Sequence, residues 1–170
     1  MHSLSRVTAT TFALASALAA TAPLAAQEMR PALTSASAKA IVLGCEAFAK
    51  DKGINVAITV LDHGGDPAAF LRMDGVNLGP VDISRWKADA AASWAWPTKQ
   101  MSEIVSKGGT GFAFAPHVST FEGGEPIFSA DGKVPLGGVG VSGASSADDA
   151  ACARAGIAAA GLTHAAAPKN

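Results

Sequence analysis

Residues 115–127, APHVSTFEGGEPI, hold three metal-capable side chains within nine positions: His117, Glu122 and Glu125. An imidazole with carboxylates suits iron or zinc, and an imidazole left unligated is a general base near neutral pH. The two glutamates have E-x-x-E spacing, but the glycines between them allow the carboxylates to face apart. An ordinary exposed loop is therefore the competing reading, although loops are also where sites concentrate. Phe112, Phe114 and Phe121 flank the histidine and read either as walls of an apolar cleft or as core. No Ser-His-Asp order, G-x-S-x-G, H-E-x-x-H or C-x-x-C occurs, so hydrolase and dithiol-redox chemistry have no motif here.

Three further stretches carry chemistry-bearing residues. In LDHGGDPAAFLRMDG, Asp62, Arg72 and Asp74 sit at the rims of apolar strands. The aspartates read as turn-forming residues that bond their own backbone, and Arg72 as either a site residue or a surface cation. Lys87, beside Trp86, reads as a helix lysine reaching solvent or meeting an anion. GVGVSG, residues 138–143, fits G-x-G-x-x-G between a strand and a helix. A dinucleotide site needs further βαβ units and a downstream acidic residue, yet only 27 residues follow Gly143 and none reads as a strand. Its glycines are read instead as positions where another backbone approaches closely.

The elements that must position these residues follow from periodicity and punctuation. TSASAKAIVLGCEAFAKDKG has helical apolar spacing and ends at Gly53, predicting a helix over 35–52. INVAITVLD and PAAFLRMD, joined by HGGD, predict a β-hairpin. GPVDISRWKADAAASWAW reads as a helix stopped at Pro97, and TKQMSEIVSK as another with Thr98 as its cap. Residues 108–124 read as irregular. EPIFSADGKVPLGGVGVSG predicts a second hairpin with an Asp-Gly turn, and SSADDAACARAGIAAAGL a capped closing helix. The order argues for one α/β (α+β) domain, a central and mainly antiparallel sheet with packed helices.

Residues 1–26 read as an export signal: Arg6 near the start, an apolar stretch over Phe12–Ala20, then small residues to Ala26. A retained anchor or a cytosolic helix is the alternative. Residues 27–170 then form the domain, and the chain is expected in the periplasm or outside the cell. Without Arg6, 12 Lys+Arg stand against 14 Asp+Glu, a net charge of −2, and the lysines are scattered. That excludes the clustered positive charge of a nucleic-acid binder. Cys45 and Cys152 lie in helical stretches and are either bridged, as an oxidising compartment permits, or two buried thiols.

LDHGGDPAAFLRMDG, KADAA (87–91), Pro97–Thr98, GGEPI (123–127), GGVGVSG and DDAACARAG together resemble the GlcG/HbpS haem-binding family, which includes the C-terminal domain of PduO-type proteins. The resemblance spans nearly the whole chain after residue 26. It implies a profilin-like antiparallel sheet, assembly from dimers to octamers, and haem and iron binding. It also carries a haem-degrading label, and its exported members are extracellular sensors, which makes a sensor kinase a candidate partner. Glu125 departs from it, placing a carboxylate where such loops are generally apolar.

Haem, or a similar flat tetrapyrrole, needs an axial donor, cations for its propionates and apolar walls. His117 is the candidate ligand, Arg72 and Lys87 the propionate partners, and Phe112, Phe114 and Phe121 the walls. His117, Glu122 and Glu125 are the candidate set for iron. An enzyme using His117 as general base, and a purely structural oligomeric module, are the alternatives.

Overall fold

The computed structural model describes residues 29–168, so the segment read as an export signal lies outside the described residues. Helix α1 (Ser35–Lys52) begins at Thr34, whose hydroxyl accepts the Ser37 N–H, and ends at Gly53 in the left-handed conformation (φ 65°). Strands β1 (Ala57–Asp62) and β2 (Pro67–Arg72) form the first hairpin. Helix α2 (Leu78–Trp94) and helix α3 (Thr98–Ser106) follow, then a short 3₁₀ turn over Thr110–Phe114. Strands β3 (Gly124–Phe128) and β4 (Pro135–Ser142) form the second hairpin, and helix α4 (Ser146–Ala159), capped by the Ser145 side chain, closes the domain. The four strands pair antiparallel throughout, in the order β2-β1-β4-β3.

Helices cover both faces of the sheet, so β1 and β4 are almost wholly buried rather than buried on alternate positions. On one face Ile58, Val60, Val139 and Val141 pack with Ile41 and Cys45 of α1 and with Cys152 and Ile157 of α4. Cys45 and Cys152 are joined in a disulfide that ties α1 to α4 across 107 residues of sequence, which settles the bridge-or-thiol alternative.

On the other face α2 lies directly on β4. A Cβ at Gly140 would overlap Ser84 O and Ala88 N, and one at Gly138 would overlap Ala88 O and Ala92 N. GVGVSG is thus a seat for a helix backbone, as the close-packing reading expects. Thr59 and Ser84 share a hydrogen bond of 2.8 Å across the same interface.

Two readings need correction. Thr98 does not cap α3, because Pro97 occupies the cap position. The Thr98 side chain is buried instead and its Oγ1 accepts the Gly124 N–H at 2.9 Å, fixing the start of β3. Lys87 is not a solvent lysine: it is 2 % exposed, and its ammonium donates to Asp149 Oδ2 (2.9 Å) and to the Val141 carbonyl (2.7 Å). Asp62, by contrast, orders the HGGD turn as expected, accepting the N–H groups of Gly64 and Asp66.

Candidate functional site

One side of α2 is buried through Ser84, Lys87, Ala88 and Ala91, which places Trp86 and Asp89, three residues apart, on the outer side. Trp86 is 61 % exposed. Facing this pair is the segment that follows the 3₁₀ turn. An aromatic cluster pins it: Trp94 and Phe112 meet edge to face at 5.1 Å, Trp96 lies 5.6 Å from Trp94, and the Trp94 indole N–H donates to the Pro116 carbonyl at 3.1 Å.

The next residue, His117, sits in the left-handed region (φ 56°), an uncommon and costly conformation for a side chain other than glycine. Its Nδ1 lies 2.8 Å from Asp89 Oδ2. The carboxylate is an acceptor only, so this contact favours the tautomer with the proton on Nδ1, leaving the Nε2 lone pair free. A carboxylate behind an imidazole in this way orients the ring and fixes its tautomer.

His117 and Asp89 line an open cavity of about 390 Å³. Trp86 and Phe121 supply its aromatic surface, and Ser119 and Thr120 its hydroxyls. The Ser119 hydroxyl also accepts the Phe121 N–H at 3.4 Å, tightening the turn. Among the described residues no lysine or arginine lines the cavity.

Of the residues singled out from sequence, His117 and Phe121 meet here and the others do not. Phe112 packs behind the loop against Trp94, because its ring completes the aromatic cluster, and Phe114 is 89 % exposed outside the cavity. Arg72 lines a separate depression with Glu46, Lys50 and Asp74, at the end of edge strand β2. Lys87 is committed to Asp149 inside the fold.

The set His117, Glu122 and Glu125 does not converge. Glu122 pairs with Lys99 (3.3 Å), while Glu125, buried in β3, receives the Arg154 guanidinium at 2.7 Å. Burial pushes the Glu125 carboxyl up and Arg154 opposes that shift. Among the described residues no group of three or more His, Cys, Asp or Glu side chains is placed to hold a metal ion.

Sequence reasoning missed Asp89 and Trp86. Asp89 stands 28 residues from His117, so no local motif links them. The available signal was the small-residue side of α2, which, once taken as buried, leaves Trp86 and Asp89 together on the outer side.

A family model described as "Haem degrading protein HbpS-like" matches residues 33–158. Protein GlcG of Escherichia coli K12 is 38 % identical over 110 residues, covering 65 % of this chain and 81 % of that protein. Among solved structures, a double-mutant HbpS of Streptomyces reticuli superposes with a TM-score of 0.70 at 30 % identity, covering 82 % of this chain and 97 % of the other. A structure described as a PduOC:haem complex gives 0.71 at 25 % identity, covering 79 % and 99 %.

Proposed function

The chain belongs to the HbpS-like family, and from that premise we propose that it binds haem at the His117 cavity, with Nε2 of His117 as the axial donor. The observation that carries this reading is the His117–Asp89 contact at 2.8 Å on the wall of an open cavity of about 390 Å³ faced by Trp86 and Phe121. Ligand sites are typically ~300–1,000 Å³, mostly apolar, with a few placed polar groups, and this cavity falls at the lower end. Its open shape and exposed aromatic rims suit a flat tetrapyrrole, and among the described residues no cation lines the cavity to meet propionates, which would then rely on solvent. Bound haem would supply the iron chemistry; His117 would offer it a nitrogen donor, Trp86 and Phe121 apolar surface, and Asp89 would fix the imidazole.

Support for the narrower parts of this reading is independent of the cavity. Export to an oxidising compartment is supported by the Cys45–Cys152 disulfide and by the leader-like residues 1–26. Assembly with further copies is supported by Leu43 and Phe70, both exposed, which share an apolar depression with Val42, Ala68 and Ala69 beside edge strand β2. Iron enters as haem rather than as a bare ion, in keeping with the dispersal of Glu122 and Glu125.

Haem degradation is a second reading, favoured by the family's description and by the same Asp–His pair, which is a general-base arrangement when unligated. Titration of the protein with haemin separates the readings. Binding gives a stable Soret band that His117→Ala weakens or shifts, degradation gives a band that decays with a reductant, and no band at all refutes both.

A further inference from the structure

The pairing of Asp89 with His117 has a chemical consequence beyond binding. Both partners are held by rigid elements. α2 cannot slide along the sheet, because Ala88, adjacent to Asp89, has its backbone seated on Gly138 and Gly140. The histidine is fixed from the other side by the Trp94–Pro116 hydrogen bond and its left-handed backbone. The backbones that carry the 2.8 Å contact are therefore fixed by the fold, while the His117 side chain itself is 56 % exposed towards the cavity mouth.

We propose, on the basis of the haem reading above, that Asp89 is a positioning residue that sets the redox preference of the bound iron: its carboxylate, accepting the His117 Nδ1 proton, gives the imidazole partial anionic character and so favours ferric over ferrous haem. Two facts define the effect. The Asp89 carboxylate stands one imidazole ring away from the donor atom, and among the described residues no lysine or arginine lines the cavity wall beside it. A more electron-rich axial ligand stabilises the higher oxidation state, and hydrogen bonding behind the ligand is one of the protein's levers on haem potential.

Asp89→Asn isolates this charge, because an asparagine oxygen still accepts the Nδ1–H in the same place. The experiment is spectroelectrochemical titration of the full-length, haem-loaded protein and its Asp89→Asn variant at one pH. The expected result is a preserved Soret band with a roughly tenfold weaker preference for the ferric state, an upward midpoint shift of about 59 mV for a one-electron couple. A midpoint changed by less than twofold in equilibrium, about 18 mV, with the band preserved overturns the proposal. So does an Asp89→Asn variant that binds no haem, since removal of charge alone leaves the ligand in place.

His117→Gly provides a second measurement, as glycine accepts the left-handed backbone without cost. With Asp89 present, added imidazole should restore the axial band at least tenfold better than 1-methylimidazole, which has no N–H to give the carboxylate. Equal rescue by the two overturns the Asp89 role while leaving haem binding intact. A His117→Gly variant with the unaltered Soret band and affinity overturns the haem reading at His117 itself.

Discussion

Replacing Lys87 by methionine tests how the two halves of the fold are clamped. The ammonium and the Asp149 carboxylate are each 3 % exposed, and Asp149 also accepts the Ala144 N–H. Burial pulls the Lys87 ammonium down and pushes the Asp149 carboxyl up, while their mutual attraction opposes both shifts. Methionine fills similar volume but strands a buried carboxylate and removes the donor to the Val141 carbonyl. Breaking a buried pair from one side costs about 3–5 kcal/mol. At roughly 3–4 °C per kcal/mol for a domain of this size, Tm should fall by about 10–20 °C. The double variant Lys87→Met with Asp149→Asn, which keeps an acceptor for Ala144, should recover at least about 1.5 kcal/mol of the loss, because no uncompensated charge is left. Urea unfolding followed by circular dichroism, with the disulfide kept oxidised, gives both numbers. A single-variant cost under about 1 kcal/mol, or a double variant as unstable as the single, would refute the clamp.

Three other outcomes follow from the same geometry. Cys45→Ala with Cys152→Ala releases a cross-link spanning 107 residues and should cost about 2–5 kcal/mol by denaturant titration, with the unmutated protein showing the same loss on reduction. His164 is pushed below its usual range, first by burial and then by Arg154, so the fold favours its neutral form. Its contribution to stability is complete above about pH 6.5 and is lost as pH falls through 6.5 to the lowered folded value, and His164→Gln should remove that part of the pH slope measured by thermal unfolding. Trp94→Phe keeps an aromatic ring but loses the bond to the Pro116 carbonyl; haem affinity should drop several-fold by Soret titration with little change in Tm, and unchanged affinity would show that the loop holds His117 unaided.

How much of this was legible in the chain depended on the range of the interaction. Local devices read correctly: the α1 limits at 35 and 52, both hairpins, the Asp62 turn and the capped start of the closing helix are set by residues within a few positions of one another. The glycines of GVGVSG were also legible as packing, because the surrounding elements left no room for a nucleotide fold. Contacts across many residues were not. Lys87 and Asp149 are 62 residues apart and Glu125 and Arg154 are 29 apart, so nothing in either neighbourhood told a buried pair from a solvated charge. Phe112 read either as a cavity wall or as core, and only the turn of chain after α3, which brings it behind the loop and onto Trp94, decides between them. His117 was singled out by residue type, whereas its contact with Asp89 needed the register of α2 on β4.

On the proposal above, His117, oriented by Asp89, would supply the nitrogen donor to haem in the cavity beside Trp86 and Phe121. The most direct measurement is a haemin titration of the wild-type chain and of His117→Ala, reading the Soret position and dissociation constant under identical conditions. A saturable band is expected for the wild type, and for the variant a displaced band with affinity at least tenfold weaker. An identical band and affinity in the two proteins would contradict the proposal.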